Sequence, residues 1–229
     1  MAYCAGMGRP KRTTPGGWVY HVLNRANARM PIFTKDEDFI AFETVLQEAV
    51  ARTGTRLLSY CLMGNHWHLA VWPQEDDELS RFVGWLTLTQ MQRWHAHRKS
   101  TGSGYLYQGR FKSFPVHDDD HFLTLCRYVE RNALRANLVQ RAEDWRWSSL
   151  HRWYSGTAAE KELLSAWPRR RNSGWLEHVN SPQTDAELVA IRRCVTRGSP
   201  FGDETWATTA TRKLGLEITT RPQGRPKTK

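Results

Sequence analysis

The stretch TRLLSYCLMGNHWHLAVW, residues 55–72, constrains this chain more than any other. Two β-rich runs are separated only by Gly64 and Asn65, the spacing of a tight hairpin. Successive side chains of a strand alternate faces, so His66 and His68 stand side by side while Trp67, Leu69 and Val71 point the other way. Two imidazoles on one face of a buried strand read as a metal-ligand pair, opening the second strand of the hairpin beside its turn.

The surrounding pattern builds a fold around that hairpin. GGWVYHVLNR (16–25) reads as a strand with Trp18, Tyr20 and Val22 on one face, followed by a polar, arginine-bearing loop up to Pro31. TKDEDFIAFETVLQEAVARTG reads as a helix with Thr34 as N-cap, Glu37 at the third position of a capping box and Gly54 after its end. DELSRFVGWLTLTQMQRWHAHRKS (77–100) is a second amphipathic helix, FKSFPVH a short strand, and DDDHFLTLCRYVERNALRAN a third helix with acidic residues in its first turn. The order is βαββαβ with a helix added, which predicts an α+β, ferredoxin-like antiparallel sheet with packed helices.

The predicted catalytic domain spans 1–154. From 155 to 229 the composition shifts to a linker with a short helix, helical stretches at 183–197 and 203–214, and a basic tail: a mainly helical C-terminal extension.

Charge narrows the function classes. In 229 residues, 33 lysines and arginines face 23 acidic residues, a formal charge of +10, which favours a polyanionic partner such as nucleic acid. The basic residues cluster at GRPKR (8–12), at Arg127, Arg131 and Arg135, at PRRR (168–171) and at RPQGRPK (221–227). GRPK occurs at 8–11 and again at 224–227, so Arg9, Lys11, Arg225 and Lys227 read as minor-groove contacts of an AT-hook kind or as solvated basic tails. No run approaches the roughly 18 apolar residues of a membrane span, and no apolar h-region follows the first charges, so a cytoplasmic protein without a membrane partner is expected. Four scattered cysteines, 4, 61, 126 and 194, support neither a disulfide framework nor a zinc ribbon.

Projected at 100° per residue, the third helix buries Phe122, Leu125, Cys126, Val129, Ala133 and Ala136. Tyr128, Asn132 and Arg135 form a second stripe along the border, and Arg127 and Arg131 lie further toward water. Cleavage of a phosphodiester by a tyrosine needs a hard cation to withdraw charge from the non-bridging oxygens, with open positions for the phosphate. His66, His68 and the Asn132 amide oxygen would leave such positions. Tyr128, one helical turn from a ligand, would be placed to lose its proton near the metal or to a bound water.

These motifs resemble a known family. NHWH matches the histidine-hydrophobic-histidine motif of single-tyrosine HUH endonucleases, and RYVERNALRANLV resembles the family's tyrosine helix. LYQGRFKS and PGGWVYHVLNRANARMPIF are similar to segments of REP-associated tyrosine transposases, domesticated relatives of insertion-sequence transposases. The resemblance covers about residues 8–154, with weaker likeness through RGSPFG and the closing LGLE and RPQGRPK. It implies His66 and His68 as metal ligands, Asn132 as third ligand or its neighbour, and Tyr128 as the nucleophile of a reaction leaving a 5′-phosphotyrosine and a free 3′-hydroxyl. It further implies no nucleotide cofactor, single-stranded DNA hairpins of REP-like repeats as partner, and a monomer, with a helix-exchanged dimer as the alternative; the hard phosphate and amide oxygens favour Mg²⁺ or Mn²⁺, while the histidines leave room for softer ions. The sequence departs from the family at Gly64, where proline is frequent, at Ala133 for proline and at Asn137 for glycine; none of these removes a chemical group.

Several residues carry two readings. Tyr105 and Tyr107 are rival nucleophiles in a glycine-rich loop. Cys61 could join the histidines or be a buried thiol. His95 and His97 face different directions on their helix. His117, just before the acidic run, is either a group supporting the site or a solvated helix-entry residue. WRWSSLHRWYSG (145–156) either stacks on unpaired bases or packs the closing segment. Asn24, Arg25 and Arg29, in the loop after the first strand, are candidate DNA contacts, joined by Arg110 and Lys112 of LYQGRFKS. Besides the transposase reading stand a replication or conjugation initiator of the same chemistry and a non-catalytic basic nucleic-acid-binding protein with a structural metal.

Overall fold

Four strands, β1 (Val19–Arg25), β2 (Arg56–Met63), β3 (His66–Trp72) and β4 (Lys112–Val116), form one antiparallel sheet in the order β2-β3-β1-β4. The computed structural model describes residues 14–102 and 104–221; Arg9, Lys11, Arg225 and Lys227 of the two GRPK segments lie outside them. With α1 (Asp36–Thr53) between β1 and β2 and α2 (Glu78–His97) between β3 and β4, the chain has the expected ferredoxin-like order. Gly64 and Asn65 make the hairpin turn, with Met63 opposite His66.

Strand alternation divides the interior into two layers. Trp67, Leu69 and Val71 face α1 and α2, in a core with Phe42, Leu46, Phe82 and Leu86. Trp67 is fully buried, and its indole N–H donates to the Tyr107 hydroxyl at 2.9 Å, which removes the cost of enclosing that donor. The opposite face, carrying Cys61 and Ala70, is covered by α3 (Asp120–Glu130) through Phe122, Leu125, Cys126 and Val129. These four residues belong to the predicted buried stripe of that helix, and they and Ala133 of the same stripe are inaccessible to solvent.

Helix ends depart from the sequence reading where competing local bonds exist. Thr34 is not the cap of α1. The N-cap is Lys35, and the Asp38 carboxylate accepts from both the Thr34 amide and hydroxyl at 2.9 Å. Gly54 does close the helix, in the left-handed conformation with φ 74°. The third helix is not continuous. It breaks at Arg131 and resumes as the single turn α4 (Asn132–Arg135), so Ala136 falls past the end and is exposed rather than buried. Asn137 follows with φ 57°, the left-handed position the resemblance gives to glycine; asparagine tolerates it better than most side chains.

Arg127 and Arg131 also turn away from water. Arg127, 6% exposed, donates through its guanidinium to the carbonyls of Ser181 and Pro182, both at 2.8 Å, and Arg131 donates to those of Val179 and Asn180. The Val179 and Asn180 carbonyls end a helix with no intrahelical donor left and those of Ser181 and Pro182 directly follow it, and the two cations satisfy them. That helix, α7 (Trp175–Asn180), was not anticipated from sequence.

The remaining helices are α5 (Ser149–Ser155), α6 (Ala158–Lys161), α8 (Asp185–Arg197), α9 (Glu204–Lys213) and α10 (Glu217–Thr220). Trp175, Val179, Ile191 and Phe201 complete the core beneath α3. RGSPFGD is a clip rather than a free turn: Phe201 bridges Val116 in parallel at the edge of β4. Among the described residues no helix is long and apolar enough to cross a membrane.

Candidate active site

β1, β3 and β4 are antiparallel neighbours, so the end of β1 and the starts of β3 and β4 meet at one end of the sheet. His66 opens β3 opposite Arg25, and His68 sits opposite Leu23 and Cys61. Their ring centroids are 5.2 Å apart. The Asn65 carboxamide oxygen lies 2.7 Å from His66 Nδ1, which therefore carries the proton and leaves the Nε2 lone pair outward. His68, 4% exposed, places Nδ1 2.9 Å from Nε2 of His21 on β1.

His21 was not singled out from sequence. It reads as one polar residue inside an apolar strand, and its role appears when β1 pairs with β3. Burial pushes His21 down to about 3, and burial, followed by the charges of Arg25 and Arg135, pushes His66 down to about 4. His68 is held well below its ordinary value by burial first, then by His21 and His66. Three neutral imidazoles result, the form that offers a lone pair to a cation. If His68 Nδ1–H donates to His21, His68 Nε2 is a free donor atom and the proton on His21 Nδ1, a buried atom without a partner, is left unsatisfied. A hydrogen bond at Nδ1 is how a ligand histidine is oriented.

Tyr128 on α3 meets this pair. Its ring, 7% exposed, lies edge-on to His68 with centroids 5.8 Å apart. One turn on, Asn132 is buried and its Oδ1 accepts from Arg135 Nη2 at 2.9 Å, which leaves that oxygen one lone pair. Arg135 also places its guanidinium 4.1 Å over the Tyr128 ring and donates to the Tyr128 carbonyl at 3.2 Å. Besides His21 Nδ1, the buried donors Arg25 Nε and Asn132 Nδ2 at this site have no partner among the described residues. Unpartnered donors beside the Arg135 guanidinium suit an anionic oxygen.

Of the expected DNA contacts, Arg25, Arg29, Arg110 and Lys112 belong to this end of the sheet; Arg29, Arg110 and Lys112 are exposed. Asn24 and Arg25 are strand rather than loop residues. Asn24 is buried, its Oδ1 accepting from the Arg25 amide at 2.9 Å. Tyr107 is buried on the other face of the sheet between Trp67 and Gln90, far from His68, whereas Tyr105 is exposed. Cys61 is a buried thiol that burial pushes up to about 12, donating to the Met63 sulfur. Sequence reasoning also passed over Glu130. This fully buried carboxylate, two residues beyond Tyr128, accepts from Ser149 and Ser59 at 2.8 and 3.4 Å and from the Trp175 indole at 2.8 Å.

A family model described as IS200-like transposase matches residues 17–132, a stretch that holds the histidine pair and Tyr128. The fold is similar to that of a REP-associated tyrosine transposase bound to a REP hairpin, with a TM-score of 0.50 and 16% identity over 64% of this chain and 84% of that one. A Deinococcus radiodurans protein described as a transposase aligns with a TM-score of 0.40 and 18% identity over 54% of this chain and 96% of that one. No curated protein matches.

Proposed function

The chain belongs to the IS200-like transposase family, and from that premise we propose that it cleaves and rejoins single-stranded DNA beside a folded hairpin, with Tyr128 as nucleophile. The observation that carries the reading is the Tyr128 ring set edge-on against His68, with His66 beside it and Arg135 over the tyrosine. The Tyr128 oxygen attacks the phosphorus. A tyrosyl O–P bond forms, the P–O3′ bond breaks, the phenolic proton passes to solvent, and the departing 3′ oxygen takes up a proton to leave a free hydroxyl. Rejoining runs the same exchange in reverse from another 3′-hydroxyl, so the phosphodiester bond energy is kept and no nucleotide is needed.

His66 and His68 fit a divalent cation, Mg²⁺ or Mn²⁺, because both are held neutral with Nδ1 engaged; the remaining lone pair of Asn132 Oδ1 is the third candidate ligand. When bound, such an ion supplies charge withdrawal at the non-bridging phosphate oxygens. Arg135 orients the tyrosine through the ring contact, while Arg25 Nε and Asn132 Nδ2 are donors for a phosphate oxygen. Arg29, Arg110 and Lys112 extend this basic end toward the flanking strand. The catalytic unit would span residues 1–154, with 155–229 as the helical extension that closes the core beneath α3. A REP-like hairpin is the proposed substrate, taken by a monomer.

The test is an adduct assay. Purified protein is mixed with labelled hairpin oligonucleotides from the DNA flanking its gene, with Mn²⁺ or with chelator, and run in SDS. A metal-dependent adduct that vanishes in Tyr128→Phe is expected. Hairpin binding without any adduct would refute the enzyme reading, and an adduct surviving in the variant would move the nucleophile to Tyr105.

A further inference from the structure

At the opposite end of the sheet a second set of ligand-type side chains converges, independent of the His66–His68 pair. Val19 pairs with Val116 and Arg25 with His66, so six residues of β1, about 20 Å at strand rise, separate the two sets. His117 directly follows β4. Its Nδ1 lies 3.0 Å from Asp119 Oδ2 and 3.3 Å from Asp203 Oδ2, while His121 Nδ1 lies 2.8 Å from Asp119 Oδ1. Candidate ligand atoms of His117, Asp119 and His121 all fall within 4.8 Å of one another.

Three features distinguish this cluster from a chance meeting of charges. First, His117 Nδ1 is buried and makes no hydrogen bond of acceptable geometry, although two carboxylates approach it. Second, both carboxylates are aimed by helix starts. Asp119 caps α3, accepting from the His121 amide at 2.8 Å, and Asp203 caps α9, accepting from the Trp206 amide at 2.9 Å through Oδ1, which leaves Oδ2 toward His117. Third, the rings are held by stacking. Trp206 lies parallel to His117 with centroids 4.7 Å apart, and Phe201 meets His121 edge-on at 5.2 Å. Gly202 permits this approach, since a Cβ there would come within 2.4 Å of the Trp206 ring and 3.0 Å of His117 Cβ.

We propose that His117, Asp119, His121 and Asp203 form a second metal site, of structural type, for a borderline cation such as Zn²⁺. Two imidazole nitrogens and two carboxylate oxygens are a tetrahedral N₂O₂ set, and ligands already fixed by helix caps and stacked rings require little ordering on binding. Three ligands lie within five residues and the fourth 82 positions further on, so the ion closes a long loop. It ties the start of the tyrosine helix to the segment that Phe201 clips onto β4, and so holds the C-terminal helices against the sheet.

The experiment uses the full chain, freed of metal with chelator, and a His66→Ala/His68→Ala variant that removes the other pair. Each is titrated with Zn²⁺ by calorimetry and with Co²⁺, whose visible absorption reports tetrahedral coordination. The double variant is expected to keep one equivalent and to show a rise in Tm that saturates at that stoichiometry. His117→Gln in that background should weaken Zn²⁺ binding by at least 100-fold. Asp203→Asn, which retains a capping side chain for α9, should weaken it about tenfold with metal-free Tm unchanged. No binding in the His66→Ala/His68→Ala variant, or binding unaffected by both further substitutions, would overturn the proposal and leave a network of ion pairs.

Discussion

Replacing Glu130 by glutamine tests whether the buried carboxyl group that ends the tyrosine helix is a burden or a support. Burial pushes its pKa up, outweighing the opposing charge of Arg171 and the bonds from Trp175, Ser149 and Ser59. A folded-state pKa above the unfolded value means that the folded protein keeps a proton the unfolded chain releases. Its contribution to stability is therefore fully present below about pH 4.5 and is lost as pH rises toward the folded pKa, by up to about 1.4 kcal/mol per pH unit. Glutamine removes that dependence at small local cost, because its oxygen can take the Trp175 N–H while its amide donates to a serine hydroxyl, leaving no orphan. Urea unfolding of wild type and Glu130→Gln, from pH 5 to 8 in chelator, should give nearly equal stabilities at pH 5 and a growing advantage for the variant above it. Glu130→Ala should lose about 3–5 kcal/mol throughout, since it strips three donors of their acceptor and opens a cavity. A wild type that gains on Glu130→Gln as pH rises would refute the reasoning, and would mean that the attraction of Arg171 outweighs burial.

Arg135→Met should slow adduct formation about 3- to 30-fold at saturating DNA, from loss of a ring contact of about 0.5–2 kcal/mol, with Tm little changed; an unchanged rate removes Arg135 from the site. His21→Phe keeps the ring volume and leaves His68 Nδ1 without its partner, so Mn²⁺ affinity by calorimetry should fall about 10- to 100-fold. The same variant should flatten acid denaturation: neutral folded His21 contributes stability above pH 6.5 that is lost as pH falls toward about 3, and an unaltered acid slope would contradict its burial as a neutral ring. Arg127→Met should destabilise by about 2–4 kcal/mol, because the Ser181 and Pro182 carbonyls lose a buried charged donor, while the salt dependence of DNA binding stays as in wild type. A reduced salt slope with unaltered Tm would make Arg127 a phosphate contact instead.

What could be read in advance was what neighbours along the chain decide. The Gly64-Asn65 turn, the alternation of His66, Trp67, His68 and Leu69, and the apolar stripe from Phe122 to Val129 all follow from strand and helix periods. Element order then limited the sheet to few topologies, and the observed order is the expected one. Reading failed at boundaries settled by a single bond. Asp38 captured Thr34, the helix ended at Arg135 and left Ala136 outside the stripe, and the weak pattern of Trp175–Asn180 concealed a helix that draws in Arg127 and Arg131.

The sequence by itself determined which groups could do chemistry and on which local faces they lie: two histidines two apart on a strand, and a tyrosine, an amide and an arginine along one helix border. Tertiary structure decided which distant groups complete them. His21 reaches His68 across the β1–β3 ladder, Tyr128 faces His68 across the packing of α3 on the sheet, and Asp203 approaches His117 because Phe201 joins the β4 edge. The physical reason is one of range. Periodicity and turn geometry act over a few residues, whereas contacts between residues tens of positions apart depend on how whole faces bury one another, and no local pattern in one segment records the residue that will arrive from another.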